Sequence, residues 1–137
     1  MWGRRRGVNL VDTPEMALFF ERLDRMNKVQ LLAMRAAWQS TSHQDHEDAR
    51  TAVRGVGARE SLAKEIDRVR DKAMAWVLRG TNSLPYWGDN DNQQFVKGEA
   101  REAVVDAALA VALGSRLDAR THDVLIEPWL RATQDQG

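Results

Sequence analysis

Three carboxylates, Glu99, Glu102 and Asp106, fall three and four residues apart in the stretch EAREAVVD, a spacing that places side chains on one face of a helix. Carboxylate oxygens grouped in this way hold magnesium or manganese when a second helix brings further carboxylates to the other side of the ion. Glu60, Glu65, Asp67 and Asp71 are the candidates for that second helix, although Lys64 and Arg68 stand among them and can take the same groups as ion pairs. The chemistry implied is metal-dependent hydrolysis of a nucleotide or phosphate ester. A second cluster lies in STSHQDHED, residues 40–48, where His43 and His46 are three apart and so can share a helical face. A zinc site takes three or four protein ligands, and the remaining histidine, His122, is far along the chain. A simpler reading fits the same residues. Ser42 followed by Asp45 is a variant of the capping box, and Asp45, Glu47 and Asp48 fall in the first turns, where carboxylates complement exposed amides. The stretch is therefore expected to be an exposed helix start.

His122 and Asp123 resemble, over those two residues, the His-Asp pair of the metal-dependent HD phosphohydrolases, an all-helical family. The resemblance implies a distant histidine and a later aspartate as further ligands, and the later aspartate is Asp135, close to the end of the sequence. DNDNQ, from Asp89, is similar to the start of an EF-hand calcium loop, but it has no central glycine and Ala100 stands where the closing glutamate belongs. Neither resemblance identifies a family. Lys64, Arg68 and Lys72 form a basic stripe at successive i,i+4 positions, with Arg50 and Arg54 upstream, as phosphate contacts to a nucleic acid would require. Nearby carboxylates can neutralise much of it, and no helix-turn-helix signature or aromatic platform accompanies it.

The composition narrows the setting for these residues. The chain has 137 residues, enough for one core and too few to expect two. Hydrophobic residues at 43% and charged residues at 29% are ordinary for a folded chain, so neither disorder nor a membrane span is expected. The absence of cysteine removes thiolate catalysis and Cys-ligated zinc, and fits a cytoplasmic home. MWGRRRG is followed by polar residues and lacks the apolar core of an export leader. Twenty basic and 20 acidic residues cancel, which argues against a strong global field toward nucleic acid or anionic lipid. The charge is nonetheless divided. Residues 49–79 carry eight basic against four acidic groups, and residues 80–137 carry five against nine, so two faces of one bundle, or two copies of the chain, can attract each other.

Helices must position all of these groups. Thr13 as N-cap, Pro14 and Glu15 open the first, whose apolar stripe of Met16, Phe19, Phe20, Leu23, Met26, Ala33 and Ala37 predicts one helix of about 37 Å ending near Trp38. The second region runs from about His43 to Arg79. Its stripes, Ala49, Ala52, Val53, Val56 and then Leu62, Ile66, Val69, Ala73, Trp76, are out of phase by about a third of a turn. Gly55 and Gly57 lie between them, so a kink or break is expected there. Residues 79–95 form the one long connection. Tyr86 and Trp87 in it are either a flap over the core or a contact surface. The third helix, from about Asn92 to Leu113, is apolar nearly all round in VVDAALAVAL and is expected at the centre, with Asp106 at an edge. If buried, Asp106 must be paired, an arginine of the second region being the candidate. Gly114 closes that helix, Asp118 caps the last, and Pro128 should kink or stop it.

The sequence thus predicts an all-α antiparallel bundle of four to five helices over residues 13–137, preceded by a mobile segment at 1–12. The expected function is non-enzymatic: an interaction protein, self-associating or bound to a protein partner, without cofactor or membrane, with Tyr86 and Trp87 as interface candidates. The rivals are a magnesium- or manganese-dependent hydrolase using Glu99, Glu102 and Asp106, and, with less behind it, a nucleic-acid binder using Lys64, Arg68 and Lys72.

Overall fold

The structure, a computed structural model, describes residues 8–83 and 90–134, the side chains of 79–83 and 90–100 excepted. It is an all-α bundle of six helices: α1 (Pro14–Asp24), α2 (Lys28–Gln39), α3 (His43–Arg59), α4 (Ala63–Ser83), α5 (Asn90–Leu113) and α6 (Ala119–Thr133), with a short 3-10 turn (Gly114–Arg116) before α6. Among the described residues there is no strand.

Local polar groups set the helix starts. The Thr13 hydroxyl accepts from the Met16 amide at 3.1 Å, Ser42 accepts from the Asp45 amide at 3.1 Å, and Asp118 accepts from the Thr121 amide at 2.9 Å, each satisfying an amide that the first turn leaves open. The single first helix expected from the apolar spacing is two. Asn27 and Gln30 form a reciprocal capping box, each side chain accepting from the other's amide at 2.9 Å, which starts α2 afresh after the Arg25 C-cap. The restart resets the phase of the stripe: Leu31, Met34 and Ala37 are buried, whereas Ala33 is exposed.

The second region divides as expected, but at Glu60–Leu62. Both glycines stay within α3, and the chain turns at Ser61, whose φ of 55° is left-handed. Gly57 serves a close approach instead of a bend: a Cβ there would lie 3.1 Å from Ile66 Cδ1 and 3.6 Å from the Ala63 backbone. That approach seats the start of α4 against α3. The α4 stripe of Leu62, Ile66, Val69, Ala73 and Trp76 is buried, as are Ala49, Val53 and Val56 on α3.

Central to the bundle is α5, packed against α1, α2, α4 and α6. Every residue from Ala103 to Ala110 is buried, and the small alanine side chains let neighbouring backbones draw close. Asp106 is among them at 5% exposure, so the expected edge position is corrected to a buried one. Gly114, at φ +52°, ends α5. Pro128 neither stops nor shortens α6, which continues to Thr133. A proline costs about 3 kcal/mol inside a helix, but burial of Leu125, Ile126, Trp129 and Ala132 on either side of it holds the helix in place. The Trp129 ring meets Phe19 of α1 at 4.5 Å between centroids. At the N-terminal side, Leu10 is 2% exposed within the core and its amide donates to Glu65 at 3.4 Å, so the segment expected to precede the domain is anchored as early as residue 10.

Candidate functional site: a buried Trp–His–Asp cluster

The last turn of α2 carries Trp38, and the Ser42 cap then directs α3 so that His46, one turn in, lies beneath it. The two rings stack at 4.3 Å with 23° between planes. His46 Nε2 is 3.0 Å from the Trp38 carbonyl, which fixes the ring by a bond across the α2–α3 corner. From α5, Asp106 completes the group: the Trp38 indole N–H donates to its Oδ2 at 2.9 Å, and His46 Nδ1 is 4.0 Å from the same oxygen. His46 and Asp106 are each 5% exposed, and Nδ1 has no hydrogen-bond partner.

One turn away on both helices stands a second polar rung. Arg50, four residues after His46, donates to Glu102, four residues before Asp106, at 3.3 Å, and to Glu47 at 3.0 Å. The spacing i,i+4 on α3 thus faces i,i+4 on α5. Burial raises the Asp106 carboxyl from 3.8 to about 6; the Trp38 bond and the Arg50 charge pull it down, Glu102 pushes it up, and Arg70 on α4 pulls it down.

Of the residues expected to bind a metal, Glu102 and Asp106 do share a face of α5, and both carboxylates already accept from protein donors, Arg50 and Trp38. The side chain of Glu99 lies outside the described residues. Of the carboxylates expected opposite them, three are engaged elsewhere: Glu60 accepts from Arg116 at 3.2 Å, Glu65 from Arg68 and the Leu10 amide, and Asp67 pairs with Arg70 at 3.6 Å. Among the described residues, no group of three or more His, Asp or Glu side chains is placed to hold a metal ion. His43 is exposed while His46 is buried, so the expected exposed helix start holds for His43 and is corrected for His46. Lys64, Arg68 and Lys72 do line the exposed side of α4; Arg68 pairs with Glu65, and the Lys72 ammonium lies 4.8 Å over the Phe20 ring. Tyr86 and Trp87 lie outside the described residues.

The metal-spacing argument reached His46 only as a partner of His43 and did not reach Trp38, though a signal for the burial of His46 existed. His46, Ala49, Val53 and Val56 step by three, four and three along α3, which puts the histidine on the buried stripe. Comparison with protein-family models, with curated proteins and with solved structures finds no match for this chain.

Proposed function

We propose that the chain is a non-enzymatic helical protein that works by association, first of all with a second copy of itself. The observation that carries the reading is the placement of large apolar side chains on the outside of helices: Val29 is 73% exposed, and Leu18 and Leu130 are each 51% exposed. Leu18 and Leu130 adjoin Phe19 and Trp129 in sequence, and those two rings meet between α1 and α6. Single exposed apolar residues are common on any protein; several on the outer sides of α1, α2 and α6 give a second chain something to bury. A cytoplasmic location belongs to this proposal.

Sedimentation velocity across a hundredfold range of concentration tests it. The expected result is an apparent mass that rises with concentration for the unaltered chain and rises less for Leu18→Lys with Leu130→Lys. A monomer at every concentration would overturn the proposal.

A further inference from the structure

The Trp38 carbonyl 3.0 Å from His46 Nε2 can only accept a hydrogen bond. In the neutral ring the proton therefore sits on Nε2, and Nδ1 presents a bare lone pair. That lone pair is buried without a partner and faces Oδ2 of Asp106 at 4.0 Å. An ionised Asp106 offers no proton either, so two acceptors confront each other where little water reaches. A single proton resolves the conflict whichever atom carries it, since N–H···O and N···H–O both satisfy the pair.

We propose that His46 and Asp106 together form a proton-binding switch, in which uptake of one proton from solvent joins Nδ1 to Oδ2 and draws α3 onto α5. The bonded distance for such a pair is shorter than the present separation by about 1 Å. Closure at this rung also brings Arg50 and Glu102 together at the next one, because each pair sits one turn along the same two helices. The protonated ring gains further from the Trp38 indole stacked on it. Uptake of that proton raises the net charge of the two side chains by one.

The surroundings favour proton uptake by the pair. On α3, Arg50 is the nearest cation, and it is shared with Glu47 and Glu102. Glu102 on α5 opposes ionisation of Asp106, and Arg70 on α4, which also pairs with Asp67 at 3.6 Å, favours it weakly. On α2, half-buried Arg35 lies three residues before Trp38. Facing α5 from α1 and α6 are core side chains such as Met16, Phe19, Leu125 and Trp129; Asp24 and Glu127 on these helices are bonded to Trp76 and Arg131. Burial outweighs the cations, holding the Asp106 carboxyl at about 6 against 3.8 unperturbed. Between those values the native Asp106 carboxyl keeps a proton that the same carboxyl in the unfolded chain has released. Stability from the Asp106 carboxyl is accordingly gained as pH falls through about 6, and the gain is complete below 3.8.

The test is urea unfolding of the full chain between pH 7.5 and 4.5, alongside Asp106→Asn and His46→Gln, with the Trp38 indole N–H followed by NMR over the same range. Relative to Asp106→Asn, the unaltered chain is expected to gain about thirtyfold in its folding constant on acidification. His46→Gln, whose amide can donate to the carboxylate at any pH, is expected to lose most of that gain. The indole resonance should move with the same midpoint as the stability, a readout that needs no variant to fold. A profile that His46→Gln leaves unchanged, a loss of stability relative to Asp106→Asn on acidification, or an indole signal that does not titrate would each overturn the proposal.

Discussion

Replacing Trp38 by phenylalanine isolates the indole hydrogen bond that reaches the Asp106 carboxylate from α2. The indole N–H donates to Oδ2 at 2.9 Å, and phenylalanine keeps an aromatic face for His46 while removing the donor. Two costs are expected, and pH separates them. The smaller ring leaves space behind it, at about 1–2 kcal/mol independent of pH. Loss of the donor depends on the charge of its partner: a bond to an ionised group contributes about 1.5–3 kcal/mol, one to a neutral group about 0.5–1.5. Above the Asp106 midpoint of about 6 the carboxylate is charged and the larger figure applies; well below it the carboxyl is neutral. Trp38→Phe should thus cost about 1 kcal/mol more at pH 7.5 than at pH 4.5. Equivalently, the Asp106 midpoint should rise by up to about one unit, since a unit corresponds to about 1.4 kcal/mol.

The sign follows from which state binds the proton. The indole bond favours the charged form, so its removal raises the native pKa further above 3.8, increases proton uptake on folding and steepens the loss of stability as pH rises. Urea titrations at both pH values, repeated in an Asp106→Asn background, complete a double-mutant cycle. In that background the extra cost at pH 7.5 should disappear. A penalty that is equal at both pH values and unchanged by Asp106→Asn would refute the reasoning, leaving Trp38 as ring volume alone.

Four further outcomes follow from particular contacts. Gly55→Ala should stabilise by about 0.5–1 kcal/mol in thermal or urea unfolding, because its Cβ would meet only the movable guanidinium of Arg59 at 3.0 Å. Gly57→Ala should instead destabilise by about 1 kcal/mol, the helix gain being outweighed by crowding of Ile66 and Ala63. Asp118→Ala should lower the melting temperature at pH 7 and matter progressively less below pH 3.8, because bonds from the Thr121 amide and hydroxyl hold the Asp118 carboxyl below its ordinary value and that contribution is lost as pH falls through the folded pKa. Millimolar magnesium or manganese should leave the melting temperature unchanged, Glu102 and Asp106 being bonded to Arg50 and Trp38; a rise that Glu102→Ala abolishes would favour the hydrolase reading instead.

Groups that act within a few residues were legible in the sequence. Thr13, Ser42 and Asp118 cap the helices they were expected to cap because a capping bond spans three positions. The central placement of α5 was legible because an apolar surface on every side leaves a helix no solvent face. The break at Asn27 was equally local, an Asn-x-x-Gln box, but an apolar spacing continuous across it obscured it. The turn at Ser61 was not legible: serine adopts positive φ only under tertiary constraint, and two glycines nearby advertised a bend they do not make. That the helix would continue past Pro128 was not legible for a related reason, since the proline's cost is local and the packing that offsets it is not.

The polar cluster lies at the far end of that scale, joining residues 60 and 68 positions apart, and the composition of α5 suggests why it exists. A helix surfaced with alanine has shallow ridges, so apolar packing along Ala103, Ala107 and Ala110 specifies its axial position poorly. Burying Asp106 there is unfavourable in itself, as its raised pKa records, and an apolar residue of similar size would be expected to give a more stable fold. What an apolar residue would not supply is direction. The Trp38 indole and the Arg50 guanidinium bind their carboxylates only when α5 is in register with α2 and α3, and a slip of one turn would leave buried Asp106 and half-exposed Glu102 without these donors. Replacing Asp106 and His46 together by leucine should therefore raise the unfolding midpoint at neutral pH while broadening the amide NMR signals of α5, which separates stability from register. Sharp signals in the stabilised variant would show that the alanine ridges suffice and that the cluster is there for its proton alone.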